Sequence, residues 1–157
     1  MKAVVLDKFG KSARLLIKDV PKPRFGTDTL LVKVQACSLN PIDYKIKLGR
    51  LHPFTMLKKN KIVASDFCGE ITELGPRVQH YKKGDIVYGM INPIETGCCA
   101  EYIAVKPSQI SHKPKTLDSK TAASIPLAAL TAYQALVQVG QIRNFESPRV
   151  LINGSSG

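Results

Sequence analysis

The last eight residues restrict the fold more than any other stretch of this chain. Val150-Leu151-Ile152 is a short apolar run that leads straight into Asn153-Gly154-Ser155-Ser156-Gly157. An apolar strand feeding a Gly-x-x-Gly turn is how the first βα unit of a dinucleotide-binding sheet begins. The backbone N–H groups of the helix that follows such a turn hold a pyrophosphate. Arg149–Asn153 is read here as that opening strand, with no helix behind it in the sequence. The expectation is one complete domain followed by the interrupted start of a second.

A chain of 157 residues can bury roughly 70% of its unfolded surface. No apolar run approaches the ~20 residues that span a bilayer. After Lys2, only Ala3-Val4-Val5-Leu6 precede Asp7, too few for a secretory core. No membrane span and a cytoplasmic location are expected. The four cysteines, Cys37, Cys68, Cys98 and Cys99, contain no C-x-x-C pair, and the first two lie in apolar runs. They read as buried thiols in a reducing compartment. Formal charge is +11, from 23 basic and 12 acidic residues. Such a balance suits nucleic acid, headgroups or an anionic cofactor. The lysines are scattered, however, with Lys58-Lys59-Asn60-Lys61 the densest cluster, and aromatics make up only 6%. Stacking platforms for nucleic acid are not evident, and a solvated basic face is the plainer reading.

From Lys2 to about Val105 the chain reads as short strands divided by Gly, Pro and Asn. Lys2–Leu6, Leu15–Val20, Leu30–Leu39, Phe67–Leu74, Ile86–Met90 and Ala100–Val105 carry the aliphatic and β-branched residues. Within Leu30–Leu39, Val32, Val34, Ala36 and Ser38 oppose Leu31, Lys33, Gln35 and Cys37. Strands this short and this spaced predict a closed or nearly closed β-barrel. One helix interrupts them: Asn40 is a good N-cap, Pro41 suits the first helical position, Asp43 favours the helix N-terminus, and Gly49 ends it. Beyond Pro114 the pattern turns helical. Ser119–Ala123 gives one turn, and Ser124 is placed to cap a second helix from Pro126 to Gly140. Its apolar stripe is Leu127, Leu130, Tyr133, Leu136 and Val137.

Four stretches in this order, with Val150–Gly157 as a fifth, carry a resemblance. They are Ser38-Leu39-Asn40-Pro41-Ile42-Asp43 with Gly49; Ser65-Asp66-Phe67-Cys68-Gly69-Glu70-Ile71; Gly84-Asp85-Ile86-Val87-Tyr88-Gly89; and Ala122-Ala123-Ser124-Ile125-Pro126 with Leu130-Thr131-Ala132-Tyr133. The set resembles the N-terminal half of the medium-chain dehydrogenase/reductase superfamily, and within it the quinone-oxidoreductase branch. The resemblance implies a mainly β fold: a GroES-like catalytic barrel over 1–117, then the first helix and strand of a truncated Rossmann α/β domain over 118–157. It implies NADPH in the cleft between them and hydride transfer to a quinone or an electron-poor carbon.

The zinc-dependent members of that superfamily take a Cys and a His from the barrel. Matching the motifs puts Asn40 at the position of that Cys and Ser65 at that of the His. Neither offers the thiolate or imidazole that tetrahedral zinc wants. The four-cysteine structural lobe has no counterpart between Met90 and Glu101, where only Cys98 and Cys99 occur. No zinc is expected, and metal-assisted alcohol oxidation is not expected either.

The resemblance also assigns roles, each beside a plainer one. Asn40 is a helix cap, and by resemblance borders the nicotinamide. Asp43 orders the first turn. Lys45 is a solvated helix lysine beside Lys47, or the ammonium that steadies a developing enolate, a contribution of several kcal/mol at best. Tyr44 lines the same pocket or packs at the helix edge. Thr131 resembles the threonine near the nicotinamide amide, or is a small residue for helix packing. Gly154, Ser155, Ser156 and Gly157 would approach the pyrophosphate. His52 reads as loop surface rather than proton donor. The catalytic tyrosine of some enoyl reductases has no match in that neighbourhood. His80 and His112 read as structural.

The catalytic expectation is a zinc-independent, NADPH-dependent oxidoreductase of quinones or α,β-unsaturated carbonyls, a homodimer being compatible with it. The alternative is a non-catalytic binding module of the barrel alone, for an acidic partner or RNA. As a fragment, these 157 residues are expected to show negligible turnover, with Ser119–Gly157 docking abnormally or mediating association.

Overall fold

Alternating apolar and polar side chains build eight short strands in the computed structural model, which describes residues 1–50 and 61–153. The strands are β1 (Lys2–Leu6), β2 (Leu15–Asp19), β3 (Leu30–Ser38), β4 (Lys61–Ile62), β5 (Asp66–Leu74), β6 (Ile86–Met90), β7 (Tyr102–Val105) and β8 (Ile110–His112). Helix α1 (Pro41–Lys47) lies between β3 and β4, and α2 (Ser119–Ala123) and α3 (Pro126–Tyr133) follow β8. One antiparallel sheet has the order β2-β1-β4 and the other β7-β3-β5-β6-β8. An Ala3–Ala100 bridge stitches them together. Around it the Val4 N–H donates to the Cys99 carbonyl at 2.8 Å and the Glu101 N–H to the Lys2 carbonyl at 3.0 Å. This is the nearly closed barrel expected from strand spacing.

The core sits inside it, around Leu30, Val32, Phe67, Ile71, Val87 and Val105. Burying a side chain the size of Phe67 contributes about 2–3 kcal/mol. Gly69 lets β5 lie close to β3, since a Cβ there would stand 2.3 Å from the Lys33 carbonyl oxygen.

The simple alternation along β3 does not hold to its end. The β3–β5 pairing is irregular between Val34 and Ala36, and one extra residue shifts the pleat by one. Val32 and Val34 pack in the barrel core, but beyond the irregularity Cys37 does so. Ala36 turns outward against Ala122 and Ala123 of α2. Strands β4 and β8 carry too few residues to show a period, and the sequence reading did not find them.

Around α3 two expectations need correction. Ser124 does not cap α3; it closes α2, its Oγ donating to the Thr121 carbonyl at 2.8 Å. Ile125 stands at the start of α3 with no side-chain cap. The helix continues as a wider π-type turn, Gln134–Val139, and ends at Gly140 as expected. Residues 149–153 form no strand, and Leu151 is 93% exposed. A strand exists only through a ladder partner, and none among the described residues lies beside this segment. For the same reason Leu130, Tyr133 and Leu136 are exposed although they form the expected apolar stripe.

Candidate functional site

The site begins where α1 starts. Asn40 is extended (φ −124°, ψ 162°) and Pro41 follows it into the helix, as the cap chemistry predicts. Asp43 then uses both carboxylate oxygens. Oδ2 accepts the Asn40 N–H at 2.8 Å, and Oδ1 accepts the buried Ala64 N–H at 3.0 Å. Ala64 has φ +69°, a left-handed conformation that costs an L-residue about 1–2 kcal/mol. Asp43 thereby holds the strained backbone that delivers Ser65 and Asp66 to the interior, where both side chains are fully buried.

Asp66 gathers three donors on one oxygen. Its Oδ2 accepts Ser38 Oγ at 3.4 Å, Asn40 Nδ2 at 3.1 Å and the Leu127 N–H at 3.2 Å. Burial pushes its carboxyl above the ordinary range; those hydrogen bonds pull the other way, and the nearby Asp43 charge adds to the rise. Among the described residues, Asp66 Oδ1 and Ser65 Oγ find no partner. Buried unpaired polar atoms beside strained backbone are features that cluster at functional sites.

The connection extends into α3. Thr131 Oγ1 donates to the Leu127 carbonyl at 2.7 Å. Leu127 is therefore held by Asp66 at its N–H and by Thr131 at its carbonyl. Asn40 and Thr131, chosen from separate motifs, are the two ends of one line through Asp66 and Leu127.

The other candidates fall outside that line. Tyr44 is exposed and, with Asn40, Asp43 and Lys47, lines a cavity of about 170 Å³. The Lys47 ammonium lies 5.9 Å from the Tyr44 ring centre. Lys45 is exposed, and the cavity is lined by Lys47 instead. A larger cleft of about 660 Å³ opens between β6, β8 and α3, bordered by Tyr88, Met90, Asn92, Ile125, Leu130 and Tyr133. Its Met90 is the cross-strand partner of Asp66. Gly154, Ser155, Ser156, Gly157 and His52 lie outside the described residues, as does all of the basic cluster but Lys61. His112 packs its ring 4.9 Å from that of Tyr81.

The metal question turns on donor chemistry. At the two matched positions stand an amide and a hydroxyl, and Asn40 Nδ2 is already committed to Asp66. Among the described residues no group of three His, Cys, Asp or Glu could hold a metal ion. The four cysteines are free thiols. Cys98 donates to the Asp66 carbonyl at 3.1 Å. Its thiol beside Cys37 pushes that residue's pKa up to about 11.

Sequence reasoning assigned Asp66 no role. The one available signal was an acidic residue opening the apolar run Phe67-Cys68, where a buried charge needs a reason.

Comparison with known proteins follows the same geometry. The alcohol dehydrogenase GroES-like domain model matches residues 26–115. The NAD(P)H oxidoreductase RTN4IP1, mitochondrial, of Danio rerio is 37% identical across 100% of this chain and 45% of its own length. The quinone-oxidoreductase homolog, chloroplastic, of Spinacia oleracea is 37% identical over 88% of this chain and 42% of its own. The solved structure of the quinone oxidoreductase from Coxiella burnetii superposes with a TM-score of 0.80 at 38% identity, covering 89% of this chain and 45% of that one. The chain thus spans a little under half the length of these relatives. No described helix is long and apolar enough to cross a membrane.

Proposed function

The chain belongs to the alcohol dehydrogenase GroES-like family, and from that premise we propose that it is the barrel half of a zinc-independent, NADPH-dependent quinone or enone reductase. The boundary between barrel and dinucleotide-binding domain is placed after residue 117. What carries the reading is the line Asn40–Asp66–Leu127–Thr131. It links Asn40 of the barrel, through the buried Asp66 carboxylate and the Leu127 backbone, to Thr131 of α3, and a nicotinamide between two domains needs polar groups from both.

When bound, the nicotinamide supplies the hydride. The residues of this chain do the rest. Asn40 and Thr131 frame the ring, and Tyr44 borders the same space. Lys45 steadies the oxyanion left on the acceptor after transfer, for which one positioned cation contributes several kcal/mol at best. The apolar cleft beside Met90 excludes water from the acceptor. Ser65 and Asn40, where a metal would need thiolate or imidazole, support a reaction without zinc. Gly154, Ser155, Ser156 and Gly157 are assigned to the pyrophosphate. NADPH is preferred over NADH on the resemblance and the basic balance of the chain. A reducing compartment suits four free cysteines; the cytoplasm is our assignment, and a Danio rerio relative is named mitochondrial.

The test, made on a protein that carries this barrel together with its dinucleotide-binding domain, is NADPH oxidation followed at its nicotinamide absorbance, with a para-quinone as acceptor and with chelator present. Turnover that survives the chelator supports the proposal. NAD⁺ reduction by alcohols that the chelator abolishes overturns it.

A further inference from the structure

We propose that Asp66 is a positioning residue, the joint through which a single buried oxygen fixes helix α3 on the barrel. The first N–H groups of any helix have no acceptor inside it and need one elsewhere. For α3 the local supply is absent: Ile125 offers no side-chain cap and the Ser124 hydroxyl is committed to α2. The Leu127 N–H is instead accepted by Asp66, 61 residues earlier in the chain.

The same Oδ2 takes Asn40 Nδ2 from the start of α1 and Ser38 Oγ from the end of β3. Three elements therefore meet on one atom. The other polar tie in this region, Ser119 Oγ to Gln35 Oε1 at 2.7 Å, holds α2 and is exposed. Ala122 and Ala123 likewise seat α2 against Cys68 and Ala36. At α3 itself only Pro126 is buried, too small a surface to set the helix's angle by packing. A carboxylate at a helix N-terminus is favoured by the helix dipole, and bonds to an ionised acceptor are roughly twice as strong as neutral ones. Retaining a fully buried acid with one oxygen unpartnered is expensive. The joint gives that expense a purpose. Its consequence, that Asn40 and Thr131 stay on either side of one nicotinamide, rests on the function proposed above.

The experiment is amide hydrogen exchange by NMR on the protein and on its Asp66→Ala and Asp66→Asn variants. The Leu127 N–H lacks an acceptor in its own helix, so its protection reports the Asp66 contact. Asp66→Ala is expected to speed exchange at Leu127 at least about tenfold while β3 and β6 amides keep their protection. Asp66→Asn retains an acceptor oxygen and is expected to stay within about threefold of the native protein. Should Asp66→Ala not fold, Asp66→Leu fills the same buried space and is held to the same outcome. Unchanged exchange at Leu127 without the carboxyl overturns the proposal, as does an Asn variant that exchanges as fast as the Ala variant. No cofactor enters this measurement. A protein that binds no nicotinamide would overturn the function and leave this result standing.

Discussion

Asp66 and Leu127 meet at 3.2 Å, a barrel carboxylate accepting the N–H of a helix that begins 60 residues beyond it. The contact makes the barrel and the start of the next domain one polar unit.

Asn40→Ala removes the Nδ2 donor to Asp66 and the side chain of the α1 cap position. The expected stability loss is about 1 kcal/mol, the usual net worth of one hydrogen bond. NADPH affinity is expected to fall about tenfold in addition, because a polar group bordering the ring is lost. Urea unfolding and nucleotide titration read the two effects separately. Affinity that falls no further than the stability loss explains would remove Asn40 from the cofactor site.

The pH dependence of stability carries the signature of Asp66. Burial raises its carboxyl in the folded state above the ordinary 3.8, so between 3.8 and the folded value the native protein holds a proton that the unfolded chain has released. Its contribution is complete below 3.8 and is lost as pH rises through the folded value. Asp66→Asn does not titrate. Relative to native, this variant is expected to gain stability as pH climbs from about 3.8 and to level off above the folded value. Unfolding curves of the two proteins that stay parallel across that range would contradict the burial argument.

How much of this was legible in the sequence depends on how local each cause is. Asn40, Pro41 and Asp43 declare the start of α1 within four residues, and the structure keeps it. Six of the barrel strands, all but β4 and β8, were readable because two-residue alternation is a local pattern. The irregularity before Ala36 was not, since it arises from pairing with β5 across the sheet. Nor was Asp66, whose partners are 26, 28 and 61 residues away. Arg149–Asn153 has the composition of a strand, but composition does not supply the neighbour that makes one.

The thiols give a prediction independent of the cofactor. The Cys98 thiol raises Cys37 to about 11, so at neutral pH it is a protonated, slow nucleophile. Alkylation of Cys37 is expected to quicken about tenfold per pH unit until near its pKa, and to be rapid at pH 8 only after unfolding. Mass spectrometry of iodoacetamide-treated protein resolves this residue. Fast native-state labelling at pH 7 would contradict the packing of Cys37 against Cys98.

Lys45→Met separates binding from chemistry. With an oxyanion-steadying role, and measured in a protein that joins this barrel to its dinucleotide-binding domain, the quinone kcat is expected to drop about 10- to 100-fold while NADPH affinity stays within twofold. A rate unchanged by the substitution would return Lys45 to the solvated face of α1.

The most direct test follows the Asn40 side-chain amide and the Thr131 backbone amide by NMR while NADPH is added to the protein. The account expects both signals to shift together, saturating at one concentration, with the Leu127 amide moving alongside them. Shifts confined to the lysine-rich segment around Lys61, with Asn40 and Thr131 unmoved, would contradict it.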